Sequence, residues 1–236
     1  MVSIDRVTKT LLMFTNSDVR GNISPTERQL AINDTVNEIY ESYFPELTRL
    51  VNRENRGLIN GGLENITDRL REKLLQFLII DQPLVYDVTT TSFNLPDDWR
   101  YYDTAEYEGN DFEFAKNSKS FKLIKNCVDT TPTANTPVAL QYGSKLKVAP
   151  ATIVDGVTLS YLRKPVIANW TYMMIDGAEL FNPDAPDFRD IDLHSSEENN
   201  LIIKTLFRLG INLKEQDLVA VTQNKSAQEF NQDNSL

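Results

Sequence analysis

Only one histidine and one cysteine stand among the 236 residues, so groups able to act as nucleophile or general base near neutral pH are in short supply. The histidine, His194, stands just before Ser195 at the end of an acidic stretch, where a role at a helix start or on the surface accounts for it better than catalysis. Cys127 carries no thiolate signature and reads as a partly buried apolar residue; a lone cysteine also rules out an internal disulfide or a cysteine-built metal cluster. Asp184, Asp187, Asp190 and Asp192 lack the spacing and glycine of a calcium loop, and Pro183 and Pro186 break up the run, so a solvated extended segment is expected. Asp97 and Asp98 belong to a turn, where aspartate bonds to nearby backbone. Neither GxGxxG nor a P-loop occurs. A convergent carboxylate pair among the 34 acidic residues is permitted by number and marked by no pattern. No catalytic, metal-ligating or cofactor-binding residue is assigned, no cofactor is expected, and the chain reads as a non-enzyme.

What the sequence offers instead is recognition chemistry. Trp99, Tyr101, Tyr102, Tyr161, Arg163, Trp170 and Tyr172 are aromatic or guanidinium side chains without a catalytic partner, and such residues dominate interface hot spots because they join large area to a polar tip. Trp99 and Tyr161 are expected in a core. Arg163, Trp170, Tyr172, Met174 and Phe181 are the candidate interface residues for a neighbouring subunit or partner.

These residues depend on the elements around them. VTLSYLRKPVIANWTY, residues 157–172, starts as an alternating strand and is stopped by Pro165, which cannot donate to a ladder. Trp170–Ile175 and Ala178–Phe181 flank Asp176-Gly177, the strongest hairpin signal in the chain, and an isolated hairpin needs something to lie on. Upstream, the apolar residues of 4–14 suit a short helix. Ser24-Pro25-Thr26-Glu27 is a capping box opening a long helix whose stripe runs from Ile32 through Val36, Ile39, Tyr40 and Tyr43 to Leu50, with Pro45 expected to kink or break it. A further helix is expected from about Ile66 to Ile80. From Pro83 the period changes to that of strands: Leu84–Leu95, Trp99–Glu108, Phe121–Ile124, Ala139–Tyr142, Lys145–Val148 and Val157–Leu162, with tight turns at Gly143-Ser144 and Asp155-Gly156. Ser195 with Glu198 forms a second capping box opening a helix to about Gly210, and a last helix is expected over 214–230.

The fold class that follows is α+β. N-terminal helices occupy 1–82, a central antiparallel β-sandwich or small barrel 83–165, a projecting β-hairpin arm and extended connector 166–194, and C-terminal helices and tail 195–236, the last packing with the N-terminal helices. No apolar run is long enough to span a membrane, and no membrane association is expected. A formal charge of −10, from 24 basic and 34 acidic residues, disfavours reading of DNA by a basic face. It suits a wall past which nucleic acid slides without sticking.

A helical N-terminal part, then NLPDDWRYYDTAEYEG, VTLSYLRKPVIANWTY and DIDLHSSEENNLIIKTLFRLGINLKEQDL in that order, resembles the head-to-tail connector proteins of short-tailed phages, above all the portal-adjacent ring, or adaptor, proteins of crAss-like phages. The resemblance covers residues 23–228 and rests on motif order more than on any single motif. It implies a structural virion protein at the head–tail junction, assembled in the host cytoplasm into a homo-oligomeric ring, commonly a dodecamer. Its implied partners are the portal protein and further ring or tail proteins, with DNA passing through the lumen without sequence-specific binding. It brings no catalytic residues. Two other readings fit the same residues: a soluble β-sandwich module that binds carbohydrate through an aromatic platform, and a tail hub component.

Overall fold

The capping box at Ser24 forms in the computed structural model, which describes residues 1–17, 23–57, 66–126, 131–175 and 178–210. Glu27 N–H donates to Ser24 Oγ at 3.3 Å, and Ser24 N–H donates back to the Glu27 carboxylate at 3.0 Å, satisfying two donors at the helix start. The chain divides into two units, residues 1–76 with 165–236 and residues 77–164.

In the first unit, α1 (Ile4–Ser17), α2 (Pro25–Asn55) and α3 (Ile66–Leu75) precede the β-rich segment. The α2 stripe buries Ile32, Val36, Ile39, Tyr40, Tyr43 and Leu50. Helix α2 passes through Pro45 without the break that its sequence permits. The missing backbone bond and ring clash cost about 3 kcal/mol. Buried residues on both sides of the proline, Tyr43 before it and Leu50 after it, hold the helix together across it.

The second unit contains β1 (Leu78–Pro83), β2 (Val85–Asp87), β3 (Ser92–Asn94), β4 (Trp99–Tyr107), β5 (Asn110–Asp111), β6 (Glu113–Phe114), α4 (Ser118–Asn126), β7 (Val138–Tyr142), β8 (Lys145–Ala149) and β9 (Val157–Arg163). One sheet has the order β1-β9-β4-β5 and the other β2-β3-β8-β7-β6. Phe93, Leu95, Ala139 and Leu146 share one core with Ala105, Val157, Leu159 and Tyr161. This is a sandwich arrangement, and the described strands close no barrel. The pairing is antiparallel except between β6 and β7, which run parallel.

Several local expectations change here. The helix expected to reach Ile80 ends at Leu75, because Leu78 and Ile79 pair with Leu162 and Tyr161 instead. The single strand expected over 84–95 is a hairpin of β2 and β3. Asp87 bends it by accepting from Thr89 N–H at 2.9 Å and Thr90 Oγ1 at 2.7 Å. Phe121–Ile124, expected as a strand, is helix α4: Asn117 Oδ1 accepts from Ser120 N–H at 2.8 Å, and Phe121 and Ile124 pack one turn apart beside Val138 and Ala149. Asp155-Gly156 joins no hairpin, since β8 and β9 lie in different sheets.

The chain then returns to the first unit with β10 (Tyr172–Ile175), β11 (Ala178–Phe181), a 3-10 turn at Ser195–Glu197 and α5 (Glu198–Arg208). Helix α5 packs against α1 and α2. Its outer turns are tied to α2 by Lys204–Glu38 at 2.9 Å and by Arg208 to Asp34 at 3.1 Å and Glu38 at 2.7 Å. His194 caps the 3-10 turn, its Nδ1 accepting from Ser196 N–H at 3.3 Å, and α5 itself starts after Glu197, which makes no side-chain cap bond, so the capping box expected from Ser195 and Glu198 does not form. The helix expected over 214–230, Cys127 and the Asp176-Gly177 turn lie outside the described residues.

Candidate interface on the β10–β11 ribbon

The hairpin is held at its base by side chains from distant positions. Asn33 on α2 accepts from Ala168 N–H at 2.8 Å and donates to Ala168 O at 3.0 Å, closing a two-way clasp on the backbone. Gln29 donates to Asn169 Oδ1 at 2.7 Å. Asn169 pairs with Arg189 through backbone bonds and donates to Asp187 at 2.9 Å. The acidic connector is therefore only partly solvated: Asp190 accepts from Ile4 N–H at 2.5 Å at the start of α1, and Asp192 is buried, accepting from Val166 N–H at 3.3 Å and Gln76 at 3.2 Å. The solvated role expected for all four aspartates fails for these two, because their donors come from residues far away in sequence.

Trp170 fixes the ribbon onto this base. Its ring stacks with Tyr172, centroids 5.4 Å apart, and with Phe181 at 6.3 Å; Phe181 meets Phe188 edge-on at 5.5 Å. The Arg28 guanidinium lies 5.9 Å from the Trp170 centroid, and the indole N–H points to Asp5 at 3.4 Å. Arg28 is buried. It donates to Ile23 O at 2.6 Å and forms an ion pair with Glu179 of β11.

Register decides which side of the ribbon is left over. Tyr172 pairs with Phe181, Met173 with Leu180, Met174 with Glu179 and Ile175 with Ala178. Side chains alternate across a strand, so Tyr172, Met174, Glu179 and Phe181 share the face that meets Trp170 and Arg28. The opposite face carries Met173, Ile175 and Leu180. These three apolar side chains are 47%, 49% and 53% exposed.

The sequence-based candidates are thereby redistributed. Trp170, Tyr172 and Phe181 come together and Met174 lies farther along the same ribbon face, while Arg163 belongs to the second unit, 5.7 Å from the Phe77 ring. Trp170 is 6% exposed and acts as an anchor within its own chain, which corrects its expected place at the surface of an arm. Tyr172 and Met174 remain exposed at 40% and 61%. Met173, Ile175 and Leu180 went unassigned, although alternation outward from Asp176-Gly177 places them together on one face.

In the second unit, Tyr161 and Trp99 pack with the core, as expected of them. Tyr161 donates to Asp98 at 2.9 Å, and burial together with that bond pushes its phenol up to about 12. Among the described residues, no group of three or more His, Cys, Asp or Glu is placed to hold a metal, and no helix is long and apolar enough to cross a membrane. No protein family matches the chain, and no curated protein matches it either.

Proposed function

We propose that this chain is a structural virion protein that assembles into a ring below the portal, joins capsid to tail and extends the DNA channel. The observation that carries the reading is the outer face of the β10–β11 ribbon. A two-stranded ribbon is marginal alone, yet this one is fixed on one side by Trp170 and Arg28 and bears three half-exposed apolar side chains on the other. A ribbon held rigid before binding loses little ordering entropy when a partner covers it. Burying the exposed remainder of Met173, Ile175 and Leu180 is worth about 1 kcal/mol each.

A neighbour that covers this face with a different part of its own surface makes a heterologous contact, and such contacts close into rings when the rotation between copies closes. The acidic balance of the chain fits the second half of the reading. A ring of twelve copies carries twelve times the charge of −10, and an acidic lumen lets DNA move without tight contact. Negative-stain imaging of the concentrated protein tests the assembly directly: closed rings support it, and separate single copies at every concentration refute it.

A further inference from the structure

Helix α4 buries one side and leaves the other without a partner among the described residues. Phe121 and Ile124 face Val138, Leu140 and Ala149. At about 100° per residue, Lys119, Lys122, Leu123 and Asn126 fall together on the opposite side, where with Ser118 they line an open groove of about 480 Å³. Lys116 and Lys125 extend the positive charge along the helix, and residues 116–126 contain no acidic residue. All four lysines are exposed, and none forms an ion pair with a described residue, whereas Lys145 of the same unit pairs with Asp87 at 3.0 Å. Leu123, in the middle of this stripe, is 63% exposed.

The complementary charge lies on the β4–β5 hairpin. Residues 103–113 carry Asp103, Glu106, Glu108, Asp111 and Glu113 with no basic residue among them, and none of the five forms an ion pair with a described residue. Glu106 and Asp111 stand directly opposite each other across the hairpin, a like-charge pair that destabilises it until a cation intervenes. Tyr101 and Tyr102, next along β4, are 40% and 42% exposed and offer apolar area beside the acids.

We infer that the outer face of α4 docks onto the acidic β4–β5 hairpin of a second copy of this chain, an inference that rests on the ring reading above. Lys119 and Lys122 meet Glu106 and Asp111, and Leu123 packs at the centre, the apolar-core and polar-rim pattern of a protein interface. A phosphate backbone offers nothing to Leu123, and the acidic hairpin of the same unit repels a polyanion, so a protein surface fits the face better than nucleic acid. Each copy presents one helix and one hairpin, and the contact is head-to-tail. It is electrostatic, whereas the ribbon contact is apolar.

Charge reversal in the full-length chain tests this. Lys119→Glu with Lys122→Glu, or Glu106→Lys with Asp111→Lys, each weakens self-association at least tenfold by sedimentation. An equimolar mixture of the two variants, or all four changes in one chain, restores it. Circular dichroism checks folding, and wild-type protein supplies a second readout free of mutation. Raising salt from about 0.1 M to about 1 M shortens the screening length from about 10 Å to about 3 Å and weakens association at least tenfold. Self-association that is insensitive to salt and to both reversals overturns this contact and leaves the ring reading standing. Duplex DNA binding that the lysine reversal abolishes while self-association is unchanged overturns it in favour of nucleic acid. Wild-type protein that stays monomeric throughout overturns both.

Discussion

Arg28 and Glu179 form an ion pair across 151 positions of sequence, joining the first turn of α2 to β11. The guanidinium side is buried and also faces the Trp170 ring, so one cation sets the position of the ribbon's inner face. The outer face is left to meet something else.

Glu179→Ala strands the buried Arg28 charge and is expected to destabilise the first unit by about 3 kcal/mol. Trp170→Ala removes a buried ring and costs about 3 kcal/mol. Met173→Ala, on the outer face, stays within about 0.5 kcal/mol. Urea unfolding followed by circular dichroism gives all three values, and equal costs at Trp170 and Met173 would contradict the division into anchor and free face.

The Asn33 clasp makes a narrower prediction. Asn33→Ala loses both bonds to Ala168 and costs about 1–2 kcal/mol. Asn33→Asp keeps the acceptor for Ala168 N–H but turns a carboxylate oxygen toward the carbonyls of Ala168 and Gln29, so it costs at least as much as the alanine variant in the same unfolding experiment.

Acid weakens the first unit through two carboxylates. Burial alone would raise Glu197, but bonds from Asn200 and Lys73 outweigh it and hold the group below the usual carboxylate range. Bonds from Lys204 and Arg208 lower Glu38. A carboxylate lowered on folding stabilises the protein above its unfolded pKa, near 4.3, and that stability is lost as pH falls through the folded value. Glu197→Gln is therefore expected to flatten the loss of thermal stability below about pH 4. An unchanged acid limb would show that Glu197 does not carry the effect.

The second unit responds to alkali instead. With the Tyr161 phenol raised to about 12, its protonated form is favoured by the fold, so stability present below about pH 10 is lost as pH rises toward the folded value. Tyr161→Phe abolishes that loss and lowers stability at neutral pH by about 1 kcal/mol through the bond to Asp98. Phenolate absorbance titrated alongside unfolding checks both.

Local signals were readable wherever the partner lay close in sequence. The Ser24 box, the α2 stripe, the Gly143-Ser144 hairpin and the Val157–Leu162 strand each follow from residues within a few positions of one another. Helix α4 was not readable in this way, because the four residues Phe121–Ile124, three of them apolar, are too few to separate the two periods and the decisive signal was the cap at Asn117. Asp190, Asp192 and Trp170 were misjudged for another reason. Their partners Ile4, Gln76, Asp5 and Arg28 lie far away in sequence, and spacing along the chain carries no trace of such contacts. The apolar outer face of the ribbon went unassigned although the sequence carries its signal, since alternation outward from Asp176-Gly177 separates Met173, Ile175 and Leu180 from Tyr172 and Phe181.

Self-assembly through that outer face is the central claim, and the mass of the assembly measured by sedimentation for wild type and for Met173→Asp with Leu180→Asp tests it most directly. A closed ring for wild type and a folded single copy for the variant is the predicted result; a variant that assembles as wild type does, or a wild type that never assembles, would contradict it.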